Sequence, residues 1–339
     1  MADSLPLIDR VLAGRYRIVR RIASGGMAEV WEGYDDVLAR PVAVKVLHPH
    51  LAADASFAER FRREAVAAAR LTHPGIVATF DTGTDGDVAF IVMELVRGRT
   101  LRDALTEADS LPPAVAVPIA AEVAAALEHA HQAGLVHRDI KPANILLCEH
   151  DGETAPLLRV KVADFGIAKL QAQAATGGDL TQTGTVVGTA RYLSPEQVQG
   201  RPPDGRSDVY ALGVVLYEML CGRAPFAADS DLATALQHVR GQPPPPRQLR
   251  STIPARLESV VLRALAKDPA DRYQSAAEME AALRASSVVE GEEEQHKEPD
   301  DAVPHVVRHP TPPSGVPALT RPPSRRLVGP ALVAVVAVA

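Results

Sequence analysis

Within the short run His137-Arg138-Asp139-Ile140-Lys141-Pro142-Ala143-Asn144 stand a carboxylate, an ammonium and a carboxamide. A second run, Val162-Ala163-Asp164-Phe165-Gly166, puts another carboxylate at the end of an apolar stretch. These groups suit phosphoryl transfer, which asks little covalent chemistry of a protein but much charge neutralisation and alignment. Asp139 can orient an incoming hydroxyl and accept its proton, and Lys141 can meet the γ-phosphate as charge develops. Asn144 and Asp164 offer the hard oxygens that Mg²⁺ shares with substrate phosphates. Either run occurs alone by chance; the two in this order form a joint signal.

The remaining pieces of such a site lie upstream. Ile22-Ala23-Ser24-Gly25-Gly26-Met27-Ala28-Glu29-Val30 sits between two β-like runs. A glycine-rich hairpin lets backbone N–H groups approach phosphate oxygens, although Gly-Gly between strands is also an ordinary turn. Lys45, in Pro41-Val42-Ala43-Val44-Lys45, decides between the two. An ammonium in an apolar strand is costly unless it meets an anion. ATP phosphates are one such anion and Glu64 is another. On spacing alone Glu64 reads equally well as a solvated helical charge beside Arg60, Arg62 and Arg63.

The elements that must carry these residues follow from periodicity. Tyr16, Ile18 and Ile22 alternate on one expected strand face, and Val42 to Val46 form a second β-like run. Phe57 to Leu71 reads as a helix, with Phe57, Phe61, Ala65 and Ala68 at three- and four-residue spacing. Long helical patterns then dominate, at Ala114 to Ala133, Asp208 to Leu220 and Leu257 to Leu265. The expected architecture is α+β, a small β-rich lobe before a larger helical one.

The 339 residues are enough for a sizeable core, and 46% hydrophobic with 23% charged residues fits a soluble globular protein. A formal net charge of −6 argues against nucleic acid as the main partner. Cys148 and Cys221 have no metal-like spacing and build no disulfide scaffold. The N-terminus shows no basic region followed by an apolar run, so no cleavable signal peptide is expected.

With these motifs in this order, the stretch from Tyr16 to Ala285 resembles the eukaryotic-like protein kinase family, most closely its bacterial membrane-tethered Ser/Thr branch. The resemblance implies the bilobal kinase fold over 16–285, ATP and Mg²⁺ as cofactors, and protein substrates. It implies an adenine site in which Val30, Ala43 and Leu146 sandwich the base, with Ile22 also in contact. Met93 would be the gatekeeper, and backbone atoms of Glu94 and Val96 the hinge. Ser194-Pro195-Glu196 resembles the Ala-Pro-Glu motif, with Glu196 pairing to Arg272, and Asp208 would hold the catalytic loop in shape. Lys141 after Asp139, and Gly188-Thr189 before the substrate-docking Arg191-Tyr192, point to Ser/Thr rather than Tyr. A pseudokinase scaffold and a small-molecule phosphotransferase are the alternatives. The complete set Lys45, Glu64, Asp139, Asn144 and Asp164 opposes the first, and the activation-segment pattern opposes the second.

Several features depart from the family or bear on regulation. The first and third glycine-loop positions are Ala23 and Ala28; if the former needs φ > 0, alanine strains the loop and weakens nucleotide grip. The Cys148 to Leu158 connection is long, with Glu149 to Glu153 expected at a solvated hairpin tip, and Ser194 is expected to be harmless. Arg138 awaits a phosphate on the activation segment in this family. Thr181 and Thr183 best match its autophosphorylation pair, made in trans by a homodimer. Thr189 is expected to partner Asp139 and Lys141, whereas Thr176 and Thr185 read as plain loop threonines.

Residues 1–15 form an N-terminal segment and 286–326 an acidic, proline-rich linker that buries too little apolar surface to order itself. Arg325 and Arg326 precede an apolar run, 327–339. That run is shorter than the roughly 20 residues a membrane-spanning helix needs, so it reads as a hydrophobic tail or the start of such a helix. The second reading is the expectation, with the arginines keeping the kinase domain cytoplasmic and tethered to the membrane. A receptor-like role for an outer ligand-binding part is compatible with it.

Overall fold

The structure, a computed structural model, describes residues 7–148, 159–165 and 190–288. Its first part is an antiparallel sheet of β1 (Val11–Leu12), β2 (Tyr16–Ser24), β3 (Ala28–Asp35), β4 (Arg40–Leu47), β5 (Thr79–Asp85) and β6 (Val88–Glu94), in the order β1-β2-β3-β4-β6-β5. Strand alternation divides its side chains. Val42, Val44 and Val46 join Tyr16, Ile18, Trp31, Phe90 and Val92 in one cluster, while Ala43 joins Val30 and Met93 in another.

The shared face expected for Tyr16, Ile18 and Ile22 breaks at the third residue. The β2–β3 register shifts between Ile18 and Arg20, and again between Arg21 and Ala23. Each bulge adds a residue and re-aims the side chains after it. Ile22 therefore leaves the Tyr16 cluster and packs beside Val30 and Ala43.

After the short helix α1 (Pro49–Ala52), α2 (Ala55–Ala68) is started by Asp54, whose side chain accepts from the Ser56 N–H at 2.8 Å. Phe61 and Ala65 of α2 pack on Leu47, Ala89 and Ile91, docking the helix on the sheet. The strand β7 (Gly98–Thr100) leads into α3 (Leu101–Glu107), which opens with a Thr100/Asp103 capping box. A small sheet, β7-β8-β9, adds β8 (Ile145–Cys148) and β9 (Arg159–Val162). Gly98 is needed where β7 meets β8: at φ +147° a Cβ would lie 2.1 Å from the Leu147 carbonyl oxygen.

The larger part is helical, built on α4 (Pro113–Gln132), α5 (Pro195–Val198), α6 (Gly205–Cys221), α7 (Asp231–Arg240), α8 (Pro246–Leu249), α9 (Ala255–Ala264) and α10 (Ala276–Val288). The Ala/Val/Leu faces of α4 and α6 fill its core together with Leu257, Val261, Met279 and Leu283. Among the described residues α4 is the one helix long and apolar enough to cross a membrane, yet most of its apolar side chains are core. The acidic linker and the apolar run 327–339 lie outside the described residues.

Candidate active site

Lys45 stands on the face of β4 shared with Ala43, and only 8% of it is exposed. Its Nζ lies 2.9 Å from Asp164 Oδ1 and 3.6 Å from Glu64 Oε1. Glu64 lies on the buried face of α2 with Phe61 and Ala65, so the solvated-charge reading is excluded by its burial. Burial alone would pull the Lys45 ammonium down, but the Asp164 and Glu64 carboxylates outweigh it and hold Lys45 above its ordinary value. Burial raises the Glu64 carboxyl, with the Lys45 ammonium opposing. Two carboxylates thus share one ammonium, and all three groups line one pocket.

Beside this group lies an apolar slot. Val30, Ala43, Val77, Met93, Val96, Leu146 and Ala163 form one buried cluster, with Ile22, Ala23 and Leu95 packed against it. The expected base-contacting residues Ile22, Val30, Ala43, Val96 and Leu146 are brought together. Val77 and Ala163 join them without having been singled out, though Ala163 adjoins Asp164 and Val77 belongs to an apolar run. Glu94 ends β6; its N–H donates to the Ala78 carbonyl at 2.8 Å, and its carboxylate accepts from Lys161 Nζ at 2.9 Å.

The segment 137–144 is held from beneath by Asp208 in the first turn of α6. Its Oδ2 accepts from the His137 N–H at 2.8 Å and its Oδ1 from the Arg138 N–H at 2.7 Å. His131 Nε2 lies 2.7 Å from Oδ2 on the other side. Arg138 has φ +69°, a left-handed conformation a non-glycine residue keeps only under such restraint. Its carbonyl accepts from Gln197 Nε2 at 2.9 Å, and Gln197 Oε1 in turn accepts from Ser194 N–H and Oγ, each at 3.0 Å. Ser194 thus caps the helix together with Gln197, whose signal in the sequence is the Ser-Pro-Glu-Gln spacing of a capping box.

Buried His137 joins the two chemical runs: its Nε2 donates to the Ala163 carbonyl at 3.0 Å, and its ring packs 4.5 Å from Phe165. Burial, ahead of every other influence, pushes its imidazole below its ordinary value. Asp164 also takes a left-handed φ, +56°. Lys141 Nζ lies 3.4 Å from Asp139 Oδ2, and Asn144 Nδ2 donates to the Asp139 carbonyl at 2.8 Å and to its Oδ2 at 3.2 Å.

Using its amide nitrogen in this way leaves Asn144 Oδ1 buried with no hydrogen-bond partner among the described residues, and Asp164 Oδ2 is in the same state. Orphaned buried oxygens are rare because they forfeit hydration. One carboxamide and one carboxylate oxygen suit a hard divalent cation that takes its other ligands from phosphates and water. The residues present therefore fit Mg²⁺.

Glu196 and Arg272 form a buried bidentate pair at 2.8 and 2.9 Å, and Ser207 Oγ donates to the same carboxylate at 2.5 Å. The strain expected at Ala23 is absent: Ala23 lies in β2 opposite Val30, and neither it nor Ala28 takes a positive φ. Gly166, Thr176, Thr181, Thr183, Thr185, Gly188, Thr189 and the 149–158 connection lie outside the described residues.

A sheet over an apolar slot, an ammonium between two carboxylates and a braced Asp139 loop define a phosphotransferase site on a two-part scaffold. The protein kinase domain family matches residues 16–284, and the chain belongs to that family. Within it, the chain falls among the eukaryotic-like bacterial Ser/Thr kinases. It is 50% identical over 285 residues to a probable serine/threonine-protein kinase of Corynebacterium efficiens, covering 82% of this chain and 42% of that protein. Against the serine/threonine-protein kinase PknB of Mycolicibacterium smegmatis the identity is 50% over 276 residues, covering 80% and 43%. The chain thus spans less than half the length of these relatives. The solved PknI kinase domain of Mycobacterium tuberculosis aligns with TM-score 0.63 and 33% identity, covering 82% of this chain and 98% of that one.

Proposed function

We propose that this chain is a protein serine/threonine kinase that moves the γ-phosphoryl group of ATP onto Ser or Thr hydroxyls of protein substrates. The observation that carries the reading is the pair of buried oxygens without a hydrogen-bond partner among the described residues, Asn144 Oδ1 and Asp164 Oδ2, in the site that also holds Lys45. Adenine enters the slot of Ile22, Val30, Ala43, Val96 and Leu146, with the Glu94 and Val96 backbone as its polar edge. Lys45, kept in place by Glu64, meets the phosphates. Asn144 and Asp164 would hold Mg²⁺, which would supply charge neutralisation to the phosphates. Asp139 accepts the hydroxyl proton, and Lys141 beside it balances charge on the transferring group.

Activity switches on through trans-autophosphorylation at Thr181 and Thr183 within a homodimer, the new phosphates pairing with Arg138. The domain 16–285 works on the cytoplasmic side of a membrane, joined through the linker 286–326 to a helix that begins at 327–339. The test is incorporation of phosphate from Mg-ATP into a generic basic protein, for the wild type beside Asp139→Asn and Lys45→Met. Loss in both variants is expected; equal incorporation by all three overturns the proposal.

A further inference from the structure

The hairpin Gly25 to Ala28, the glycine-rich turn proposed to meet the phosphates, is closed by a Gly25 N–H to Ala28 carbonyl bond of 2.9 Å. Two of its peptide units are also tied to a residue outside the hairpin. His48 follows β4 directly, its N–H donates to the Met27 carbonyl at 3.0 Å, and its side-chain Nε2 lies 2.7 Å from the Gly25 carbonyl oxygen. A carbonyl only accepts, so Nε2 carries the proton. His48 is itself anchored. Its carbonyl accepts from the Leu51 and Ala52 N–H groups at 2.9 Å, and its ring stacks on His50 at 5.6 Å between centroids.

We propose that His48 is a positioning residue for ATP, a latch that fixes the glycine hairpin before nucleotide arrives. The physical reason lies in the planar trans peptide unit: a carbonyl turned toward His48 turns the next N–H the opposite way. Holding the Gly25 and Met27 carbonyls therefore sets the directions of the Gly26 and Ala28 N–H groups. Such N–H groups are what a glycine-rich loop offers to phosphate oxygens. Gly25 and Gly26 otherwise leave the tip with the greatest backbone freedom any residue allows, and ordering it on binding costs affinity. The backbone bond at His48 survives any substitution except proline; the side-chain bond does not, so the latch is separable from the strand pairing.

The proposal rests on the kinase reading, and the test keeps the two apart. ATP and protein-substrate KM and kcat are measured for wild type, His48→Ala and His48→Gln, with thermal melts for each. Loss of one net hydrogen bond is worth about three- to ten-fold. His48→Ala is expected to raise KM for ATP by that factor, with kcat and the KM for protein substrate changing by less than about twofold. His48→Gln, whose amide N–H can reach the same carbonyl, restores most of the affinity. An unchanged KM for ATP in His48→Ala, equal losses in both variants, or a fall in kcat alone would each overturn it. If wild type shows no phosphotransfer, the kinase reading fails instead, and ATP titration followed by calorimetry still reads the latch.

Discussion

Replacing Asp208 with asparagine keeps the side chain's shape and removes its charge. Three donors converge on that carboxylate, the His137 and Arg138 backbone N–H groups at 2.8 and 2.7 Å and His131 Nε2 at 2.7 Å. Asparagine has one acceptor oxygen, and its NH₂ would face one of those N–H groups. Losing a hydrogen bond to a charged group costs about 1.5–3 kcal/mol, and leaving a buried donor unpaired about 1–3 kcal/mol more. The left-handed φ at Arg138, itself a strain of about 1–3 kcal/mol, is then free to relax and carry Asp139 with it. If the native loop must be rebuilt in the transition state, even the lower sum of about 2.5 kcal/mol slows turnover by roughly 10²-fold. Lys45, Glu64 and Asp164 do not touch Asp208, so KM for ATP should change less than about threefold. Steady-state phosphate transfer to a generic basic protein measures both, with thermal melts to confirm folding. A folded Asp208→Asn variant with kcat within about fivefold of wild type refutes the bracing argument.

Arg272 is wholly buried, and its guanidinium also donates to the Ala266, Arg206 and Lys267 carbonyls, so Arg272→Met should destabilise by about 3–5 kcal/mol by stranding Glu196. Urea unfolding should find most of that recovered in the Arg272→Met/Glu196→Leu double variant; no recovery would mean the carbonyl bonds matter more than the pair. Burial first, and then the Lys267 ammonium, push the His238 imidazole down to about 3 from 6.5. The unfolded chain takes that proton near its ordinary pKa and the folded chain refuses it, so stability is full above that value and falls as pH drops toward about 3. The urea midpoint between pH 7 and 4 should therefore decline less steeply in His238→Gln than in wild type. Because Ala23 lies in β2 without a positive φ, Ala23→Gly should leave ATP affinity unimproved and cost about 0.5–1 kcal/mol of stability. Tighter nucleotide binding by that variant would restore the strain reading.

The sequence by itself determined the candidate groups and the class of scaffold. Asp139, Lys141, Asn144 and Asp164 were legible as candidates because the hydroxyl activation and metal binding proposed for them demand particular groups at short spacing, and local spacing is what a sequence displays. The helices were legible for a similar reason, since an apolar face repeats every three or four residues. Glu64 was not, because a helix charge beside three arginines looks the same whether it faces water or a buried lysine; only the docking of α2 on the sheet put its carboxylate against Lys45. Ile22 kept its place in the slot but not its expected strand face, because bulges in β2 shift the period by a residue and leave no mark in composition. The strain expected at Ala23 was a question of φ, which a residue name bounds but does not set. Gln197, Val77 and the His48 latch depend on contacts between segments far apart in the chain. Tertiary packing decided those: it brings a carbonyl and a distant donor within hydrogen-bonding distance, and no local period encodes that distance.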